Sequence, residues 1–250
     1  MMFIMGGLVD IVSLLLLCVF GVHCIKLPPY LKPCSLSDPN LNECCVKHGK
    51  EALPFLVKGD RKYNIPNLSP LFLPSLYMNV GKDLHITMTD IYAYGLERTD
   101  IEQIRFDAKN MKASLKTRID NLQLIGKYEM VGKILFLPVQ GKGDFNITAI
   151  DGEYQYEFQY TLRRKGNQSY AVVKDNDKLN FELKDAIVKL DNLFNGDDTL
   201  GKHVNTFLNE NWKEVLKEIG GALSETVRSV SRTIFTGYTS KVPFNELFLD

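Results

Sequence analysis

The chain has 250 residues, of which 45% are hydrophobic and 24% are charged. Its 30 basic residues equal its 30 acidic residues in number, which argues against a nucleic-acid partner, because such proteins carry a basic face. The length suits one large domain or two small ones.

The first 24 residues have the pattern of a secretory signal peptide. An apolar run from Ile11 to Phe20 is interrupted only by Ser13, and it is shorter than the ~20 apolar residues that span a bilayer. No basic residue precedes the run, so an uncleaved membrane anchor is the alternative. We predict cleavage after Cys24, with Gly21 as a second acceptable site. The mature chain, residues 25–250, is then secreted, with no stable membrane insertion.

Secretion makes the cysteines informative, because disulfides persist in oxidising compartments. Cys34 and Cys44 flank a turn-rich loop, and a bridge between them would stabilise the fold by ~2–3 kcal/mol. Cys45 is then left over, unless Cys24 remains in the mature chain and pairs with it.

Two glycosylation sequons also fit secretion, and they begin at Asn146 and Asn167. We expect both asparagines on exposed turns. A third sequon begins at Asn67 but is followed by Pro70, so we expect little use of it.

The first regular element is a helix over residues 41–57, where apolar residues recur at helical spacing. Residues 58–80 follow, with prolines at 66, 70 and 74. Proline removes a backbone donor, so this stretch predicts an extended edge segment.

A two-residue period dominates from Lys82 to about Phe194, which predicts long antiparallel strands with one dry face. The segment "EYQYEFQYTLRR" is the clearest example, with Tyr154, Tyr156 and Phe158 on one face. The segment "GKYEMVGKILFLPVQGKGDF" starts with the same alternation, at Tyr128 and Met130, and then becomes apolar on both faces. We predict a strand that passes under a second layer, followed by a glycine turn or bulge at residues 141–143.

A helical period follows, and it continues from Asp197 or Asp198, either of which could cap the helix, to Ile234. The pattern predicts one helix ~55 Å long. No second long helix is available to pair with it, so its partner must be the dry face of the strands. Gly220-Gly221 would weaken this helix by roughly 1–2 kcal/mol, which suggests a kink or a close approach of sheet or ligand.

Candidate catalytic groups are few. Cys44, Cys45 and His48 have metal-like spacing, but they lie on one helix beside a predicted disulfide, so we expect no metal site. The glycines at 141 and 143 lack the strand–turn–helix context of a nucleotide loop. We expect no enzyme activity, no cofactor and no catalytic residues.

The apolar faces of strand and helix contain many large side chains for one core layer. They would serve either an ordinary core or an apolar tunnel between sheet and helix. The residues that we predict to line such a tunnel are Tyr128, Met130, Ile134, Phe136, Tyr156, Phe158, Phe207, Trp212, Val215 and Ile219.

Five blocks together resemble the takeout/juvenile-hormone-binding-protein family of insects: "LPPYLKPCSLSDPNLNECC", "KGDRKYNIPNLSPLFLP", "GKYEMVGKILFLPVQGKGDF", "NENWKEVLKEI" and "VPFNELF". They follow in order from Leu27 to Phe248. The resemblance implies an α+β fold, a highly curved antiparallel sheet wrapped around a long C-terminal helix, enclosing a hydrophobic tunnel. It also places Cys34 and Cys44 on the family's N-terminal disulfide. No cysteine follows Cys45, which is similar to the takeout branch.

The resemblance implies a single domain over residues 25–250, a monomer that carries juvenile hormone, another terpenoid or a fatty-acyl lipid. The alternative is an extracellular signalling or interaction protein. Its tunnel would be filled by its own side chains, and it would act through a cell-surface receptor.

Overall fold

The computed structural model describes residues 25–250, so the predicted signal peptide and the alternative partner Cys24 lie outside the described residues. The strands are β1 (Cys34–Ser35), β2 (Leu71–Val80), β3 (Leu84–Tyr94), β4 (Asp100–Asp107), β5 (Lys112–Ile134), β6 (Leu137–Lys165), β7 (Gln168–Val173), β8 (Lys178–Leu190) and β9 (Phe248–Leu249). The helices are α1 (Leu41–Leu56), α2 (Asp198–Glu210), α3 (Trp212–Thr239) and α4 (Phe244–Leu247).

Strands β5 and β6 form the spine of a seven-stranded antiparallel sheet. Strand β6 has 29 residues and would extend over ~95 Å if straight. Strands β2 and β8 form the two edges around its central part, and helix α3 packs against both. The sheet is therefore a strongly curved half-barrel whose open side is closed by α3.

Strand β6 reverses its inward face near the middle. In its first part the residues that point into the interior are odd-numbered, namely Ile147 and Ala149. Farther along the strand the interior residue is even-numbered, namely Tyr154. Asp151 lies between them with a left-handed backbone (φ 50°), and its carboxylate is 2.5 Å from Arg118. This local irregularity lets one strand serve two parts of the core.

The N-terminal elements are fastened to the C-terminus. A disulfide joins Cys34 to Cys44, and Cys45 is free and partly buried. Strand β1 pairs in parallel with β9, so the bridge ties α1 to both ends of the described chain. The disulfide follows the prediction, and burial raises the pKa of the Cys45 thiol to about 11.

The predicted edge segment is confirmed in its second half. Strand β2 carries Pro74 and pairs only with β3, as expected where a missing N–H faces outward. The first half of the predicted segment instead contains a one-turn 3-10 helix, Arg61–Tyr63, which is capped by the side chain of Asp60.

The single C-terminal helix predicted over residues 197–234 is divided in two. The side chain of Asp197 caps α2 by accepting from Thr199 N and Leu200 N, at 3.0 and 2.9 Å. The break falls at Asn211, which leaves the helical region (φ −112°, ψ 27°). Gly220-Gly221 does not interrupt the helix, because both residues lie inside α3. The sheet does not approach them closely either, since a Cβ on either would meet no atom within 4 Å.

The prediction for the apolar run "ILFLPV" is also wrong. Leu135 and Phe136 form a two-residue turn between β5 and β6, with Leu135 at φ 57° and Phe136 76% exposed. Its backbone is held by Glu218, whose carboxylate accepts from Leu135 N at 2.8 Å. The run is the tip of a hairpin and not a strand covered on both faces.

The glycines at 141 and 143 lie inside β6 and form no turn there. A Cβ on Gly141 would come within 2.7 Å of the Tyr128 hydroxyl, and one on Gly143 would collide with the Asp191 carbonyl. These glycines therefore allow the loop after β8 to pack on β6.

The prediction that Asn146 lies on an exposed turn is wrong, because Asn146 is a strand residue and its side chain accepts from Gln123 Nε2 at 3.0 Å. Asn167, by contrast, is exposed on the turn before β7, as predicted.

Side chains of α2 complete the edge of β8. The amide of Asn205 accepts from Leu190 N and donates to Leu190 O, each at 2.8 Å. The amide of Asn209 does the same for Val188, at 2.9 and 2.7 Å. Four helical residues rise ~6 Å and two strand residues ~6.7 Å, so this spacing matches asparagines to alternate strand residues.

Candidate functional site: an apolar cavity under helix α3

A cavity of about 260 Å³ lies between the concave face of the sheet and α3. Its sheet side comes from β2, β3, β5, β6 and β8, and its helix side is one stripe of α3 together with Leu208 of α2. The stripe residues that line it are Trp212, Val215, Leu216, Ile219, Leu223, Val227 and Val230. They fall at i, i+3, i+4, i+7, i+11, i+15 and i+18 from Trp212, which is the helical period detected in the sequence.

The wall offers a ligand few polar atoms. The Tyr128 hydroxyl donates to the Asp191 carbonyl at 2.7 Å, and the Thr226 hydroxyl donates to the Ala222 carbonyl at 3.2 Å. Burial, followed by the nearby Asp191 charge, raises the pKa of Tyr128 to about 12. Burial also raises the pKa of Tyr154 to about 12. Both phenols therefore stay neutral at physiological pH, and the cavity can hold an uncharged apolar body.

Six of the residues predicted to line a tunnel lie in this wall: Tyr128, Met130, Ile134, Trp212, Val215 and Ile219. The other four lie outside it. Phe136 is at the hairpin tip, where its ring meets Phe207 edge-on at 5.3 Å. The two rings thus pack on each other beyond the cavity. The prediction for Phe136 extends strand alternation through what is a turn, and the prediction for Phe207 extends the helical stripe past the helix break at Asn211.

Tyr156 and Phe158 also lie outside the wall. They pack against Phe235 of α3, with ring centroids 5.6 and 5.0 Å away. Phe235 is five residues past Val230, the last lining residue of α3, or ~7.5 Å along the helix axis. We call Tyr156, Phe158 and Phe235 the aromatic block. It fills the interior where the cavity ends.

An ionic network anchors the aromatic block. The Tyr156 hydroxyl donates to Asp177 at 2.6 Å. Asp177, whose side chain is fully buried, also accepts from Arg228 at 2.6 Å and from Arg232. Burial acts to raise the pKa of Asp177, but the hydrogen bonds from Arg232, Tyr156 and Arg228 outweigh it and hold that pKa well below its usual range.

Several residues of this site were missed from the sequence. Met78, Ile86 and Met88 line the cavity from β2 and β3, although alternation in β3 already placed Ile86 and Met88 on one face. Arg228 and Arg232 lie one helical turn apart, and the repulsion between two like charges at this spacing is the one local feature that favours an acidic partner. The contact with Asp177, more than 50 residues away in sequence, could not be assigned by any local pattern.

The residues with metal-like spacing, Cys44, Cys45 and His48, lie at the disulfide. Cys44 is bonded to Cys34, and His48 Nδ1 lies 3.0 Å from the Lys32 carbonyl. No helix within residues 25–250 is long and apolar enough to cross a membrane.

Known proteins share this architecture and sequence. The model of the haemolymph juvenile hormone binding protein family matches residues 13–249. The chain belongs to this family. The circadian clock-controlled protein daywake is 23% identical over 232 residues in Drosophila melanogaster, covering 88% of either chain. The protein of the same name from Drosophila yakuba is 23% identical over 234 residues.

A crystal structure, Takeout 1 of Epiphyas postvittana, superposes with a TM-score of 0.76 at 25% identity and covers 87% of this chain and 99% of that one. This match confirms the predicted fold class and the resemblance to the takeout/juvenile-hormone-binding-protein family. The family is one of binding proteins.

Proposed function

We propose that this protein is a secreted, non-enzymatic carrier that holds a small apolar ligand in the cavity under α3. The observation that carries the proposal is the cavity itself: it lies between sheet and helix, and two of the three hydroxyls in its lining, those of Tyr128 and Thr226, are already bonded to backbone carbonyls. Such a wall suits the hydrocarbon part of a terpenoid or a fatty-acyl lipid, because burial of polar ligand groups there would be costly.

The cavity can adapt to its occupant. Its volume of about 260 Å³ lies just below the ~300–1,000 Å³ of common ligand sites. Met78, Met88 and Met130, three of the chain's seven methionines, are in the wall. Flexible thioether side chains repack readily, so a chain-like ligand can be accommodated by rotamer changes without opening the sheet.

Secretion is part of the proposal. A signal peptide over residues 1–24, cleaved after Cys24, would deliver residues 25–250 as a monomeric domain to an oxidising compartment. The Cys34–Cys44 bridge suits that compartment.

A second candidate function has one observation in its favour. The aromatic block already fills part of the interior, as expected for an interaction protein that acts through a surface receptor. Titration of the delipidated protein with a fluorescent fatty-acid analogue separates the two. A carrier binds it saturably at one site, and unlabelled terpenoid or fatty acid displaces it. Absence of saturable binding would favour the interaction protein.

A further inference from the structure

A surface groove runs along the junction of β8 and α3 and adjoins the cavity. Its volume is about 530 Å³. Phe181 and Leu183 of β8, with Trp212 and Leu216 of α3, line both spaces. All four side chains are only partly buried. The boundary between groove and cavity is therefore a single layer of apolar side chains.

The groove lies where the edge of β8 is no longer covered. The amides of Asn205 and Asn209 complete this edge at Leu190 and Val188, but α2 ends at Glu210. Beyond that point, among residues 25–250, no side chain of α3 bonds to the backbone of β8. Gly220 and Gly221 line the groove without side chains, and nothing lies within 4 Å of their Cβ positions.

Two lysines of α3 lie at the mouth of this groove. Lys213 and Lys217 are one helical turn apart, both exposed, and both line the groove. Neither ammonium forms an ion pair with any carboxylate in the described part of the chain, although Lys213 Nζ lies 5.5 Å from the Trp212 ring. The other polar residues of the groove are Asn180, Glu182 and Ser224. The mouth thus carries two cationic groups against one anionic group.

We propose that Lys213 and Lys217 bind the carboxylate of a fatty acid whose acyl chain passes between Trp212 and Phe181 into the cavity. This inference rests on the proposed carrier function and names its ligand as an anionic, single-chain lipid. A carboxylate inside the cavity would be costly, because that wall offers it few hydrogen-bond donors. At the groove it stays hydrated and gains two charge-assisted contacts.

The test compares palmitate with its methyl ester, which has the same acyl chain and no charge. The variant is Lys213→Gln plus Lys217→Gln, and the matched control is Lys202→Gln, an exposed lysine of α2 outside both spaces. Isothermal titration at low salt should show palmitate bound about fivefold more weakly by the double variant, since each exposed ion pair contributes modestly. The ester should bind the parent and the double variant equally, and 1 M NaCl should remove the difference for palmitate.

Each other result has a defined meaning. If both ligands bind the parent but the double variant leaves palmitate affinity unchanged, or weakens both ligands equally, the head-group site is overturned while the carrier function stands. If palmitate, its ester and a terpenoid all fail to bind the parent, the carrier function itself fails.

Discussion

The hydroxyl of Tyr128 on β5 donates a 2.7 Å hydrogen bond to the carbonyl of Asp191, just after β8. This bond crosses over Gly141 of β6, whose missing side chain leaves room for it. The tyrosine thus presents its ring to the cavity while its polar atom is used by the protein. The bond links β5 to the segment after β8 across the intervening strand β6, and the hydroxyl does not serve as a ligand donor.

Tyr128→Phe should therefore affect stability and not binding. The change leaves the Asp191 carbonyl without its partner, at a cost of about 1–2 kcal/mol, measurable by urea denaturation. The exposed Tyr77→Phe is the control and should be neutral. Unchanged stability combined with a clear loss of probe affinity would mean that the hydroxyl contacts the ligand.

Met130→Trp tests whether Met130 lines a space that a ligand can occupy or belongs to a packed core. Met130 lines the cavity, so a larger side chain there should occupy ligand space and weaken the binding of a fluorescent fatty acid about tenfold, or ~1.4 kcal/mol. The thermal midpoint should change little. Ala113→Trp, placed in register between Phe106 and Phe158, should instead lower the midpoint, because overpacking costs ~1–3 kcal/mol. Early unfolding of both variants, with parental affinity, would show an ordinary core.

Asp177→Asn tests the network behind the aromatic block. The substitution leaves Arg228 and Arg232 without their shared buried anion, which should cost about 3 kcal/mol and lower Tm by about 6–12 °C at pH 7. Asp175→Asn is the control, because its carboxylate contacts Arg232 but is 98% exposed. Its Tm should stay close to that of the parent. An Asp177→Asn variant as stable as the parent would contradict this role.

The same network predicts a pH dependence. The pKa of Asp177 is depressed in the folded protein, so its ionised form stabilises the fold fully above the unfolded pKa of ~3.9. That contribution is lost as the pH falls through the lower folded value. Denaturation between pH 2 and 8 should show a constant gap between the parent and Asp177→Asn above pH ~5 and a shrinking gap below pH ~4. A stability difference that widens on acidification would mean that the pKa of Asp177 is raised, and not lowered, by folding.

Asn209→Ala tests the amide cover of β8. It removes both hydrogen bonds to Val188, so the Val188 amide should exchange with solvent faster, and stability should fall by about 1–3 kcal/mol. Hydrogen exchange resolved by NMR measures the first effect. Thr206→Ala, on the exposed face of α2, provides the comparison and should leave that amide protected. Equal exchange in all three proteins would show that the helix does not seal this edge.

Glycosylation should occur at Asn167 and not at Asn146. Asn167 lies on an exposed turn, whereas Asn146 is a partly buried strand residue bonded to Gln123. Protein secreted from insect cells should lose mass on glycosidase treatment, and Asn167→Gln should abolish that loss. Asn146→Gln should retain it. A shift that survives Asn167→Gln would place a glycan elsewhere.

The fold was predictable where the periodicity of apolar residues shows which face of a strand or helix packs against the interior. Alternation placed Tyr128 and Met130 on the inner face of β5, and the helical period identified the lining stripe of α3. Periodicity failed at points set by tertiary contacts. Leu135 and Phe136 carry no turn signal, yet Glu218 holds their backbone in a turn. The helix breaks at Asn211, which is not a helix breaker like proline, while Gly220-Gly221 remains helical.

The site was predictable to a smaller extent for the same reason. Tyr156 and Tyr128 have similar sequence environments, on the same kind of alternating strand face. Tyr128 lines the cavity, whereas Tyr156 meets Phe235 and Asp177. Which of the two faces empty space depends on the position of α3 along the sheet, and only the folded chain sets that position.

The central claim is that the cavity under α3 carries an apolar ligand, and native mass spectrometry tests it most directly. The protein should be secreted from eukaryotic cells and sprayed without denaturation, next to its Met130→Trp variant. We predict a retained adduct of lipid mass on the parent, released by organic solvent and identified after extraction, and a clearly smaller adduct fraction on Met130→Trp. A parent that carries no adduct, and acquires none when incubated with fatty acids or terpenoids, would contradict the carrier function.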